Sequence, residues 1–127
     1  MGNVKKYLGI DWGEKRIGLA TADSEVGLAL PLATVASLAE VLTAINAEEA
    51  DIVVLGSPRK MSGEEADNPL WLSFLEQLRR HSNRPVVLID ERLTSQAADS
   101  LEGSAAEKAQ RDEIAATLIL QDYLDRN

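Results

Sequence analysis

The chain has 127 residues, 45% of them hydrophobic, which is typical of one globular domain with a modest core. Its formal net charge of −8, from 13 basic against 21 acidic residues, argues against a large basic surface for nucleic acid, although a local basic rim is still compatible. The lack of cysteine excludes disulfides and thiolate metal sites, and a single histidine excludes a multi-histidine metal cage. With no apolar run long enough to span a membrane and no signal-peptide pattern, a cytoplasmic protein is expected.

The first half of the chain predicts three strands in a meander, followed by a helix. Residues 6–10 form a mainly apolar run that ends at Asp11, and residues 16–21 are predicted to be its hairpin partner. After a turn, residues 28–35 can form a third strand. Residues 37–50 carry apolar side chains at helical spacing, which predicts the first helix.

The second half predicts two further strands that alternate with helices. The elements are a strand at 52–55, a helix at 69–80, a strand at 86–89, a short helix at 94–101 and a last helix at 105–124. Right-handed crossovers would place the fourth and fifth strands parallel to the first. We therefore predict a single α/β domain over residues 1–127. Its five-stranded mixed sheet would combine an antiparallel meander with two parallel strands and carry helices on both faces.

Acidic residues end the first and the fifth predicted strands. Asp11 follows the first strand, where it could also simply cap a turn, and Asp90 and Glu91 follow the fifth. If these strands are parallel, their carboxyl ends meet at one edge of the sheet, where open α/β sheets place their sites. Because side chains alternate along a strand, only one of the adjacent acids can face the side of Asp11. We favour Glu91 for that position and expect Asp90 to bond the loop or Arg92.

A third carboxylate, Asp112, begins the apolar face of the last predicted helix, whereas its neighbour Glu113 is expected to face solvent. A carboxylate at the start of a buried face needs a partner, which could be a metal ion or a salt bridge to a nearby arginine, Arg92 or Arg111. Together, Asp11, Glu91 and Asp112 would make an oxygen-only ligand set, which suits Mg²⁺ or Mn²⁺. Two such ions can stabilise both the attacking and the leaving oxygen of a phosphodiester.

Basic residues lie just beyond two of the predicted strand ends, at Lys15, Arg16, Arg59 and Lys60. They could neutralise phosphates beside an acidic centre, or they could be ordinary solvated surface. The loop at 56–63 contains glycines at both ends and could place backbone amides beside a phosphate. Trp12, next to the first strand end, could stack on a base or cover the edge of the core.

Four motifs of the chain resemble those of the YqgF/RuvX family, which are small bacterial proteins with a ribonuclease H-like fold. They occur in the family's order across essentially the whole chain, at 9–13 with 16–18, 56–63, 90–95, and 112–116 with 119–121. The chain departs from the family pattern at Ser57 and Ser62, where leucine and asparagine are common. It also has only two cations in the segment 107–111, which is usually rich in lysine and arginine.

The resemblance implies a Mg²⁺-dependent nuclease, with Mn²⁺ as an alternative metal, acting on structured nucleic acid. Asp11, Asp90, Glu91 and Asp112 would form its acidic site. Asp11 would bridge two metal ions, which Glu91 and Asp112 would each complete. Lys15, Arg16, Arg59, Lys60 and Arg92 would bind nucleic acid.

The family resemblance suggests two substrates, the 5′ end of precursor 16S ribosomal RNA and the four-way Holliday junction of DNA. The first is preferred and suggests contact with ribosome precursor proteins, whereas the second requires a homodimer rather than a monomer.

Two further readings remain open from the sequence alone. A non-catalytic RNA-binding module in ribosome maturation would tolerate loss of the carboxylates. An ATP-binding module would use Asp11 and Lys15 as a phosphate-binding hairpin like that of the actin and sugar-kinase group, but those proteins need two such domains to enclose ATP, and this chain supplies one.

Overall fold

The computed structural model describes residues 4–57, 68–90 and 105–126, and it describes the side chains of the last helix from residue 111 onward. In chain order the described elements are β1 (Lys6–Asp11), β2 (Ile17–Asp23), β3 (Leu30–Val35), α1 (Leu38–Ala47), β4 (Ile52–Ser57), α2 (Pro69–Ser82), β5 (Val86–Asp90) and α3 (Ala105–Arg126). Each lies within about three residues of its predicted position, whereas the short helix predicted at 94–101 falls outside the described residues.

The five strands form one sheet in the order β3-β2-β1-β4-β5. β2 is antiparallel to both of its neighbours, while β4 is parallel to β1 and β5 is parallel to β4. The predicted mixed sheet is therefore confirmed. As a consequence, β1, β4 and β5 end at the same edge of the sheet, and β2 begins there.

Helices cover both faces of this sheet. On one face, α1 and α2 pack on Leu8, Ile10 and Leu55, with Trp71 of α2 fully buried among them. On the other face, α3 packs on Ala20 and other small or branched residues of the sheet. The indole Nε1 of Trp71 donates a hydrogen bond of 3.2 Å to the carbonyl oxygen of Gly56, so this tryptophan joins α2 to the end of β4.

Local capping sets where α2 begins and ends. The side chain of Asn68 accepts hydrogen bonds from the backbone N–H groups of Leu70 and Trp71, and Pro69 occupies the first helical position, where its missing N–H costs nothing. At the other end Asn83 adopts the left-handed conformation, with φ of 56°, which stops the helix and returns the chain into β5. No helix in the described part of the chain is long and apolar enough to cross a membrane.

Two glycines allow α3 to lie close to the centre of the sheet. A Cβ atom at Gly9 would come within 2.8 Å of the Cβ atom of Leu120, and a Cβ atom at Gly18 would overlap the backbone carbonyl of Asp112. Both positions lack space for any side chain. The close approach at Gly18 fixes the height of α3 along the sheet and places Asp112 at the edge where β1 ends.

Candidate active site

Asp11 and Asp112 come together at the edge of the sheet where β1 ends. Asp11 is the last residue of β1 and pairs with Gly18 across the β1–β2 hairpin. Gly18 in turn lies against the backbone of Asp112. Because side chains alternate along a strand, Asp11 shares the face of Gly9, which is the face covered by α3. The fold therefore brings two acids 101 positions apart in the sequence to one half-buried corner.

Asp90 lies at the same edge but on the other face of the sheet. It pairs with Ser57 at the end of β5, and it follows the alternation of Val86 and Leu88, which pack on the side of α1 and α2. Asp90 is thus poorly placed to share one ion with Asp11. The residues predicted beside it, Glu91 and Arg92, lie outside the described residues, as do Arg59 and Lys60.

An ion pair connects Asp112 to the β1–β2 loop. The Nε of Arg16 donates to the Oδ2 of Asp112 at 2.7 Å, with side chains that are 38% and 18% exposed. From the sequence, the partner predicted for this carboxylate is a metal ion, Arg92 or Arg111. The structure supplies Arg16, which was predicted to contact nucleic acid. Strand alternation indicates the face on which Arg16 lies, because Arg16 precedes Gly18 by two positions and so shares the face of the sheet that α3 covers.

A second contact holds the start of this part of α3 to the sheet. The Oγ1 of Thr34, in β3, donates to the Oε2 of Glu113 at 3.0 Å, and the Oγ1 of Thr117 donates to the Glu113 carbonyl at 2.7 Å. The expectation that Glu113 faces solvent was therefore wrong, because its half-buried carboxylate bonds an edge strand. This part of α3 is thus held on the sheet by the close packing of the Asp112 backbone on Gly18 and by the hydrogen bond from Thr34 to Glu113.

The donor set at this corner is compatible with a divalent cation. Asp11 and Asp112 offer only oxygen atoms, which suit Mg²⁺ or Mn²⁺, and the guanidinium of Arg16 shows that positive charge is stabilised beside Asp112. Within residues 4–57, 68–90 and 105–126, no group of three acids or histidines is close enough to hold a metal ion. Glu91, the third ligand predicted from the sequence, lies outside the described residues.

Trp12 and Lys15, which come shortly after Asp11 in the chain, differ in their surroundings. Trp12 is half-buried and packs against Phe74 of α2, with ring centroids 6.2 Å apart, so in this structure it covers the edge of the core. Lys15 is exposed at the turn of the β1–β2 loop. Arg16 and Lys15 are therefore adjacent cations, of which Arg16 binds a carboxylate and Lys15 faces solvent.

A separate cavity of about 260 Å³ lies at the opposite end of β1. It is lined by Lys6, Thr21, Ala22, Asp23, Val26, Leu28, Leu30 and Glu48. The six residues of β1 separate it from Asp11 by roughly 17 Å, at about 3.3 Å per residue. Its mixed apolar and charged lining contains neither Asp11 nor Asp112, so this cavity is separate from the candidate site.

Comparison with known proteins gives the corner a context. The family model described as "RuvX: Holliday junction resolvase" matches residues 5–126. A protein of Chloroflexus aggregans is 37% identical over 97% of this chain and 95% of its own length. One of Methylobacillus flagellatus is 36% identical over 93% of this chain and 89% of its own length. Both relatives carry the name "Putative pre-16S rRNA nuclease".

Two solved structures share the fold at low sequence identity. RuvC of T. thermophilus, in complex with a Holliday junction substrate, aligns with a TM-score of 0.61 and 17% identity over 96% of this chain and 94% of that one. The Fowlpox virus resolvase, in complex with its Holliday junction DNA, aligns with a TM-score of 0.60 and 13% identity over 95% and 97%. These likenesses confirm the predicted ribonuclease H-like fold.

Proposed function

This chain belongs to the RuvX family, and we propose that it is a divalent-cation-dependent endonuclease that hydrolyses phosphodiester bonds in structured nucleic acid. The observation that carries the proposal is the convergence of Asp11 and Asp112 at the carboxyl end of β1, beside a cationic loop. Two carboxylates that lie close together repel each other, so a site that contains both favours a bound cation. Phosphodiester hydrolysis is a reaction that such a cation assists.

The preferred substrate is precursor 16S ribosomal RNA, processed near its 5′ end in the cytoplasm. The names of relatives more than 30% identical over nearly the whole chain support this choice. The runner-up is the Holliday junction, which the family description and the two aligned structures support. The net charge of −8 favours help from a basic partner, such as a protein of the ribosome precursor, in either case.

Each residue of the corner has a role in this proposal. Asp11, Asp112 and Glu91 would hold Mg²⁺ or Mn²⁺, which when bound supplies positive charge at the scissile phosphate and makes water a better nucleophile. Water would add to phosphorus as the bond to the 3′ oxygen breaks, leaving a 5′-phosphate and a 3′-hydroxyl that takes up a proton. Lys15, with Arg59, Lys60 and Arg92, would neutralise the flanking phosphates.

The test compares two labelled substrates, a 16S precursor 5′ leader and a four-way DNA junction, at low salt with Mg²⁺ or Mn²⁺. Wild type is compared with Asp11→Asn and with Asp125→Asn, an exposed acid near the far end of α3 that serves as the matched control. Cutting of the leader by wild type and Asp125→Asn, but not by Asp11→Asn, supports the ribosomal RNA nuclease. Equal cutting by all three proteins contradicts a role for the corner.

Solution mass separates the two substrate classes independently. Paired, symmetric cutting of a four-way junction requires two active sites in one assembly. A strict monomer by analytical ultracentrifugation, with or without the junction, would therefore count against resolution and leave the RNA substrate. A dimer that cuts the junction symmetrically and leaves the leader intact would favour the resolvase instead.

A further inference from the structure

We propose that Arg16 acts as a built-in counter-ion that competes with a divalent cation for Asp112, and that its release couples cation binding to nucleic-acid binding. The proposal rests on the nuclease function proposed above and concerns the regulation of the same corner. Its starting observation is the 2.7 Å ion pair between the Nε of Arg16 and the Oδ2 of Asp112. This carboxylate is one of the two described acids of the corner.

Contacts other than the ion pair also hold this part of α3 on the sheet. The backbone of Asp112 is already fixed by its close packing on Gly18, and its neighbour Glu113 is fixed by the hydroxyl of Thr34. Ala116 and Leu120, farther along the same helix, are fully buried against the sheet. Because backbone packing sets the position of the helix, the main effect of Arg16 is electrostatic: it neutralises one carboxylate beside a second one.

A guanidinium and a divalent cation compete for the carboxylate of Asp112. The Oδ2 of Asp112 accepts from Arg16 at hydrogen-bond distance, so a metal ion bound to this carboxylate would lie close to the guanidinium. Two positive groups so close together repel each other, which favours release of the arginine. Arg16 therefore weakens the binding of a divalent cation while keeping the acids from repelling each other when no cation is bound.

The displaced arginine remains within the β1–β2 loop, at the same edge of the sheet. Gly13 of this loop lies close to the backbone of Arg16, since a Cβ atom there would come 2.7 Å from the carbonyl oxygen of Arg16. The side chain of Arg16 is 38% exposed and can turn toward solvent while its backbone stays in the loop. A guanidinium released there is a bidentate donor for a phosphate of the substrate.

Coupling in both directions follows from this exchange. A cation that binds Asp112 releases Arg16, which can then bind a phosphate of the nucleic acid. A phosphate that binds Arg16 in turn leaves the carboxylate of Asp112 available for the cation. Linkage requires the two effects on affinity to be equal in size. Lys15, the adjacent and exposed cation, can bind phosphate without taking part in the exchange.

The first experiment measures Mn²⁺ binding by isothermal titration calorimetry, without nucleic acid, to wild type, Arg16→Gln and Lys15→Gln. Loss of the competing guanidinium should tighten Mn²⁺ binding by about fivefold or more in Arg16→Gln. Lys15→Gln, which removes the same charge one residue away, should change it by less than about twofold. Weaker or unchanged Mn²⁺ binding by Arg16→Gln, with a normal circular dichroism spectrum, would overturn the proposal, because a purely positioning role predicts weaker binding.

The second experiment measures the coupling between cation binding and RNA binding by fluorescence anisotropy with a labelled 16S precursor leader, in Ca²⁺ and in EDTA. The anisotropy follows binding of the RNA and not formation of a cleavage product. Wild type and Lys15→Gln should both bind the RNA at least about fivefold more tightly with Ca²⁺. Arg16→Gln should lose most of that gain. An equal gain in all three proteins would overturn the coupling.

These readouts fail separately from the proposed function. If wild type binds Mn²⁺ and cuts the leader while Arg16→Gln binds Mn²⁺ more weakly, the nuclease stands and the counter-ion role falls. If Arg16→Gln binds Mn²⁺ more tightly but wild type cuts neither substrate, the exchange stands and the nuclease falls. Absence of Mn²⁺ binding by wild type and by Arg16→Gln at millimolar concentration would contradict both.

Discussion

The contact between Gly18 and α3 leads to a quantitative prediction for Gly18→Ala. The new Cβ atom would overlap the backbone carbonyl of Asp112 and approach the backbone nitrogen of Glu113 to 2.9 Å. Both obstacles are backbone atoms of a helix that is anchored along its length, so no side chain can turn away to make room. Either β2 or α3 must move, and the adjoining core must move with it.

The expected cost can be estimated from the chain length. Overpacking a well-packed core costs about 1–3 kcal/mol, and a rigid backbone obstacle should fall at or above the upper end, at about 3 kcal/mol. The entropy of unfolding, about 2.1 cal/mol/K per residue, amounts to roughly 0.27 kcal/mol/K for 127 residues. The melting temperature of Gly18→Ala should therefore fall by about 11 °C.

Thermal unfolding followed by circular dichroism measures this change. Gly27→Ala is the control, because a Cβ atom there meets nothing within 4 Å and only the positive φ of 71° opposes it. That strain should cost about 1–2 kcal/mol, or roughly 4–7 °C. A Gly18→Ala protein that melts within 2 °C of wild type would refute the close packing of α3 on β2 and, with it, the position assigned to Asp112.

Two further predictions concern stability away from the corner. Asn68→Ala removes the side chain that caps α2 and should cost about 1 kcal/mol of stability, or roughly 4 °C in melting temperature. Asn68→Asp should retain most of the stability, because aspartate also caps helices well. Equal melting temperatures of wild type and Asn68→Ala would contradict the cap. Burial, reinforced by Tyr123 and Asp51, raises the pKa of Tyr7 above its usual value of 10.0. The favourable burial of the neutral phenol is therefore fully present below the unfolded pKa of about 10 and is lost as pH rises through the folded pKa, so wild type should lose more stability than Tyr7→Phe between pH 9 and 11 in urea unfolding. Parallel losses in the two proteins would contradict the raised pKa.

The sheet could be predicted from the sequence because its signals are local. The strand at 52–55 is a continuous apolar run bounded by polar and glycine residues, and the apolar spacing of 37–50 and 69–80 is helical. Right-handed crossovers then leave few arrangements for five strands, and the observed order is one of them. The position of Asp11 at the carboxyl end of β1 follows from the strand boundary alone.

The contacts of the corner could not be predicted in the same way, because they depend on how the elements meet. Arg16 and Asp112 are 96 positions apart, and strand alternation indicates the face of the sheet on which Arg16 lies but not the residue that it contacts there. Their pairing follows from the height of α3 on the sheet, which the contact at Gly18 sets. The bond between Thr34 and Glu113 has the same origin, since it requires β3 to lie beneath the start of the described part of α3.

The most direct test of whether the corner is the active site is the rate of leader cleavage as a function of Mn²⁺ concentration for wild type, Asp112→Asn and Asp125→Asn. Substitution of Asp112 removes the carboxylate charge while keeping the shape of the side chain, and Asp125→Asn makes the same change near the far end of the same helix. We expect Asp112→Asn to cleave at least about a hundredfold more slowly at every Mn²⁺ concentration, a loss of roughly 2.7 kcal/mol in transition-state stabilisation, while Asp125→Asn matches wild type. Cleavage by Asp112→Asn at the wild-type rate and with the wild-type Mn²⁺ dependence would contradict the assignment of this corner as the active site.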